Sequence, residues 1–153
     1  MKTRTVVMTV AAMMMLGVLN ACSMTSLAST DDVKGVIGYV GNTDQEDTGV
    51  FAAALEKEAE EKGYECVSME LEESELMTGC IEALTEEVDV LVLAPGESEY
   101  AQEMIEAAHV NDVDVVVKNE GRIDVDYDSI IGQSGEEGGA LAAHCAIELM
   151  TGN

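Results

Sequence analysis

Val88-Asp89-Val90-Leu91-Val92-Leu93-Ala94-Pro95-Gly96 decides the fold. It is a short, β-branched, nearly all-apolar run that Pro95 and Gly96 stop. Such a run fits a strand buried on both faces, as in a parallel sheet whose crossovers are helices. Its neighbours agree. Upstream, Lys34 to Val40 reads as another apolar strand, ended by Gly41 and Asn42, and Tyr64 to Met69 as a second one. Downstream, Val113 to Val117 makes a fourth, and Tyr127 to Gly132 holds a short fifth.

The intervening segments carry helical spacing. Thr43 to Glu46 has the Thr-x-x-Glu pattern of a capping box, predicting a helix from there to about Lys62. Phe51, Leu55 and Ala59 line its inner face, and Gly63 stands where a helix ends in the left-handed conformation. Residues 70–75 are acidic and polar. The next stripe is Leu76, Met77, Cys80, Ile81 and Leu84. Ser98 is the expected N-cap of a third helix with Ala101, Met104, Ile105 and Ala108 inward. A last helix runs from Gly135 to Met150, with Leu141, Cys145, Ile147, Leu149 and Met150 as its apolar residues.

The order β-α-β-α-β-α-β-β-α predicts an α/β fold. It is a doubly wound parallel sheet of order 2-1-3-4, with 5 at the edge, and helices on both faces. Ligands on such sheets bind at the carboxyl ends of the strands. Here that edge comprises Gly41 to Thr48, Ala94 to Ser98, Lys118 to Arg122, and Gln133 to Ser134.

Composition narrows the chemistry. The 153 residues carry 7 basic and 31 acidic side chains, a formal charge of −24. That excludes the basic patch that nucleic-acid phosphates require. One Phe and no Trp leave little for stacking platforms. Gly35, Gly38 and Gly41 are spaced by three and fail the dinucleotide pattern. No Gly-Lys-Ser/Thr phosphate loop and no Gly-x-Ser-x-Gly elbow occur. Strand three ends in Leu93-Ala94 rather than the Asp of a receiver domain. His144 adjoins Cys145, but neighbouring helical residues point about 100° apart, so they make no catalytic pair. His109 ends a helix, where a cation suits the dipole. Cys66, Cys80 and Cys145 match no zinc spacing and are expected to pack as small hydrophobes. The expectation is a binding protein rather than an enzyme, with no cofactor and no metal.

The amino terminus has the order of a secretory signal: Lys2 and Arg4, then no charge from Thr5 to Leu19. Leu19-Asn20-Ala21-Cys22 resembles a bacterial lipobox, which implies lipidation of Cys22 and a place on the extracytoplasmic face of the cell membrane. Losing Lys2 and Arg4 with the signal leaves 5 basic against 31 acidic residues, 5 − 31 = −26.

From about Lys34 to Asn153 the chain resembles the N-terminal half of type I periplasmic binding proteins of the sugar-type, ribose-binding-like branch. The stretches that carry it are Lys34 to Val40, Glu58-Ala59-Glu60-Glu61-Lys62-Gly63-Tyr64, Val88 to Pro95, Ile105 to Val117 with Asp114 where Pro is usual, and Ile131 to Ala143. The resemblance implies a small polar, sugar-like ligand held between two lobes, and an ABC transporter permease as partner. It implies binding positions at Gln45, Asp47, Thr48, Asn119, Glu120 and Ser134. Asp47 and Thr48 stand where two aromatic rings usually clamp the sugar. An acidic mouth of Asp47 and Glu120 suits a cationic or amine-bearing ligand better. The implied division is residues 1–21 signal, 22–33 tether, 34–133 lobe, and 134–153 crossover helix opening a second lobe. That second lobe is expected in trans or from a homodimer if the chain is a truncated half. The alternative is a stand-alone single-lobe lipoprotein acting as an interaction module, with the last helix folded back on its own sheet.

Overall fold

The computed structural model describes residues 33–119 and 126–152. Cys22, Glu120 and Arg122 lie outside them. Five strands form one sheet of order β2-β1-β3-β4-β5: β1 (Val36–Asn42), β2 (Glu65–Leu71), β3 (Val90–Ala94), β4 (Asp114–Lys118) and β5 (Ser129–Ile131). Every pairing is parallel. The helices are α1 (Thr48–Glu61), α2 (Leu76–Thr85), α3 (Ala101–Val110) and α4 (Gly135–Thr151), with a 3-10 turn at Glu73–Glu75. The expected order and the doubly wound α/β class are both present.

Alternation along the strands builds two cores. Ile37, Tyr39, Val90, Val92, Ala94, Val116 and Ile131 pack under α1 and α4, with Phe51, Leu55, Ala142, Ala143 and Ala146. Val40, Leu91, Leu93, Val115 and Val117 pack under α2 and α3, with Leu76, Cys80, Met104 and Ile105. Burial on both faces explains why β3 reads as a continuous apolar run.

Several boundaries differ from the sequence reading, each for a local reason. β1 does not stop before Gly41: Gly41 and Asn42 pair with Glu70 and Leu71 of β2. The Thr43–Glu46 capping box does not form. The Thr43 hydroxyl donates instead to the Leu71 carbonyl (3.2 Å), and α1 begins only at Thr48. Asp47 is its N-cap by position but makes no side-chain cap. α3 starts at Ala101 rather than directly after Ser98, although Ser98 Oγ still accepts the Tyr100 amide (3.2 Å). Ile81 is exposed, and Gly79 and Ala83 take the inner face of α2. On α4, Leu141 is exposed, Cys145, Ile147, Leu149 and Met150 pack partly buried against the core, and the fully buried positions are Gly138, Gly139, Ala142, Ala143 and Ala146. Gly63 has the expected positive φ (+86°) past the end of α1. No helix among the described residues is long and apolar enough to cross a membrane.

Candidate functional site

The carboxyl edge carries a concentration of polar groups. Asn42 closes β1, Ser98 follows β3, Lys118 closes β4 and Asn119 follows it; all four are buried. Asn42 organises the first loop: its Oδ1 accepts the Asp44 amide (2.9 Å), and its Nδ2 donates to the Pro95 carbonyl (3.4 Å). Its backbone carbonyl accepts the Thr48 hydroxyl (2.6 Å), which anchors the first residue of α1. Above this frame lies an open depression of about 800 Å³, lined by Asn42, Asp44, Gln45, Glu46, Asp47, Glu73, Glu97, Ser98 and Ser134.

An ion pair adjoins that depression through Asp47. Lys118 Nζ donates to both Asp47 oxygens (2.8 and 2.7 Å) and to Gln45 Oε1 (3.4 Å). It also lies 5.3 Å from the centroid of the Phe51 ring. The Lys118 side chain is 2% exposed and that of Asp47 28%. Asp47 Oδ2 accepts a further bond, from the Gly135 amide at the start of α4 (2.8 Å). Burial pushes the Asp47 carboxyl up. The hydrogen bonds from Lys118 and Gly135 and the Lys118 charge outweigh it, holding the group below its ordinary value. This explains the missing cap on α1: the Asp47 carboxylate faces β4 and α4 instead of its own helix.

Of the expected binding positions, Gln45, Asp47 and Ser134 line the depression. Thr48 is buried and bonded to the Asn42 carbonyl, and Asn119 is buried just past β4. The edge also holds a residue to which the sequence reading gave no role, Lys118. Its signal was available: a single cation ends the otherwise apolar run Val115-Val116-Val117, in a chain with only 7 basic residues.

The cysteines and histidines sit apart from this edge's chemistry. Cys80 is buried, and burial pushes its thiol up to about 11. Cys66 is half-buried; burial, then Glu56 and Glu60, push it up to about 12. Neither supplies a thiolate near neutral pH. His144 Nε2 lies 3.2 Å from Glu58 on α1, and His109 Nε2 lies 2.9 Å from Asp128. Among the described residues no group of three or more His, Cys, Asp or Glu is arranged to hold a metal ion. The Tyr39 hydroxyl, buried under Phe51 with ring centroids 5.7 Å apart, has no partner. It lies where a Cβ on Gly41 would stand, so a larger residue there would require the Tyr39 ring to shift.

No family model and no curated protein matches the sequence. Solved structures do match. An ABC transporter solute-binding protein from Mycobacterium smegmatis with bound glycerol aligns at 17% identity and TM-score 0.56, over 65% of this chain and 35% of that one. One from Bacillus halodurans with bound myo-inositol aligns at 16% and TM-score 0.51, over 60% and 33%. A ligand-free, open substrate-binding protein with adhesive properties from Clostridium difficile aligns at 20% and TM-score 0.54, over 78% and 41%. The chain thus spans about a third of the first two proteins' length. What it shares with them is the fold: a five-stranded, all-parallel doubly wound sheet matching one lobe of a periplasmic-type binding protein.

Proposed function

We propose that the chain is the ligand-facing lobe of an extracytoplasmic solute-binding protein that serves an ABC transporter. In this reading it is held at the membrane by a lipid on Cys22 and performs no chemistry of its own. The ligand is small, polar and sugar-like. The observation that carries the reading is the depression at the carboxyl edge of a binding-protein-like lobe, where Asn42, Gln45, Ser98 and Ser134 present amide and hydroxyl groups. Its carboxylates are equally suited to accepting sugar hydroxyls. Among the described residues no ring lines the depression, so this wall offers no stacking surface of the kind that supports sugar affinity. A second lobe would supply the opposing wall.

One observation favours a second reading, a stand-alone surface module. α4 lies on its own sheet and on α1, with Ala142, Ala143 and Ala146 fully buried there. Amide chemical shifts of the mature chain, titrated with a pentose, hexose and polyol panel, separate the two. We expect millimolar perturbations confined to Asn42, Gln45, Ser98 and Ser134. No perturbation at tens of millimolar defeats the solute-binding reading and leaves the interaction module. Expressed with its signal in a bacterial host, the Cys22→Ser variant should move from the membrane to the soluble fraction; an unchanged membrane fraction defeats the anchor.

A further inference from the structure

A buried ammonium needs acceptors for all three N–H groups and an environment that tolerates its charge. Lys118 has both. Its three acceptors are Asp47 Oδ1, Asp47 Oδ2 and Gln45 Oε1, and a ring face lies beside it. All of these belong to one stretch, Gln45 to Phe51. That stretch is held by bonds that do not involve Lys118. Asp47 is fixed by the Gly135 amide (2.8 Å), and Thr48 by the Asn42 carbonyl (2.6 Å). Phe51 is wholly buried against the sheet, and the Gln45 side-chain amide lies over Gly96. The seat is therefore preorganised, and the lysine only brings the head group that fills it.

The geometry points to an ammonium-binding seat formed by Asp47, Gln45 and the Phe51 ring, with Lys118 as its built-in occupant. Lys118 thereby sets the charge preference of the edge. While its head fills the seat, Asp47 is neutralised and closed to a free amine. A solute in the depression then meets Asn42, Ser98 and Ser134 beside it. Without that head, the seat takes a primary amine. The role in specificity rests on the solute-binding reading above; the seat itself does not.

Truncation to Lys118→Ala removes three methylenes and the ammonium, which n-propylammonium replaces. Thermal unfolding of the full mature chain is the readout. Wild type should respond to n-propylammonium chloride no more than to equal sodium chloride. Lys118→Ala should melt lower and recover with n-propylammonium in a saturable way, as linkage requires. Tetramethylammonium has no N–H and 1-propanol has no charge, so each should act at least tenfold more weakly. Lys118→Met fills the stem path without donors; it should fold and show no saturable response. Equal recovery with tetramethylammonium or sodium chloride overturns the seat, since screening alone would then suffice. So does a Lys118→Ala chain that stays unfolded at saturating amine, or a Lys118→Met response equal to that of Lys118→Ala. None of these measurements involves a sugar. Their failure leaves the solute-binding reading standing, and that reading fails separately in the chemical-shift titration.

Discussion

Asp47 ties three elements together through one carboxylate: the turn before α1, the end of β4 and the first residue of α4. Replacing it by Asn keeps the shape but leaves the nearly buried Lys118 charge without its counter-ion. Breaking a fully buried pair costs about 3–5 kcal/mol. Water reaches Asp47, so we expect about 2–3 kcal/mol at pH 7 for Asp47→Asn. The pH dependence has a definite sign. The folded carboxyl sits below its ordinary value, so its contribution is complete above about pH 4, the usual Asp range, and is lost as pH falls through the depressed folded value. The stability gap between wild type and Asp47→Asn, from urea titrations at pH 7 down to pH 3, should narrow below pH 4. A gap constant over that range removes the ion pair from the account. At this scale the sequence was only partly legible. Gln45, Asp47 and Ser134 were singled out for a ligand and do line the depression. The sequence shows which acids are near the edge, but not that one of them is already committed to a lysine 71 residues away.

At the scale of elements, the strands were legible because burial on both faces leaves an unmistakable apolar run. The inner faces of α1 and α3 were legible because Phe51, Leu55, Met104 and Ile105 sit at helical spacing. The start of α1 was not: a capping motif competes with sheet pairing, and here the strand extended and took Thr43 to Leu71. The face of α4 was legible only in part: Cys145, Ile147, Leu149 and Met150 do pack against the core, but its fully buried positions were hidden, for a different reason. Hydropathy picks large apolar residues such as Leu141, whereas a helix that lies very close to another needs small ones. A Cβ at Gly139 would collide with the Phe51 carbonyl oxygen and come within 2.8 Å of Ala54 Cβ. Neither the α1 backbone nor a methyl can swing aside. Gly139→Val should therefore destabilise by about 3 kcal/mol or more, at the upper end of overpacking costs. Gly132, which has nothing within 4 Å of an added Cβ, provides the control. Gly132→Ala should be neutral or gain about 0.4–1 kcal/mol by restricting the unfolded chain. Equal midpoints for the two variants in a urea titration would mean that α4 does not pack on α1 in solution.

Across the whole molecule, the charges are unevenly placed. Parallel strands with returning helices put Lys34, Lys57 and Lys62 near the amino edge of the sheet. There Lys34 donates to the Lys62 carbonyl (2.8 Å) and Lys62 pairs with Glu58 (3.1 Å). At the carboxyl edge Lys118 is neutralised by Asp47, while Asp44, Glu46 and Glu73 line the same depression with no cationic partner among the described residues. Self-repulsion among these acids therefore acts at the carboxyl edge, and it opposes the compact state. Salt shortens the reach of that repulsion from about 30 Å at 0.01 M to about 10 Å at 0.1 M. The Asp47–Lys118 attraction is shielded by burial and should weaken far less. The net effect of raising sodium chloride from 0.01 to 0.3 M is then stabilising, with a melting temperature higher by about 4 °C for each kcal/mol relieved. If the edge is the source, Glu46→Gln with Glu73→Gln should reproduce most of that gain at low salt and flatten the salt dependence. Glu60→Gln with Glu61→Gln, near the lysines at the other edge, should not. A salt-independent melting temperature in the wild-type chain would show that repulsion is not limiting. Equal gains from the two double variants would show that it is spread over the surface rather than gathered at the carboxyl edge.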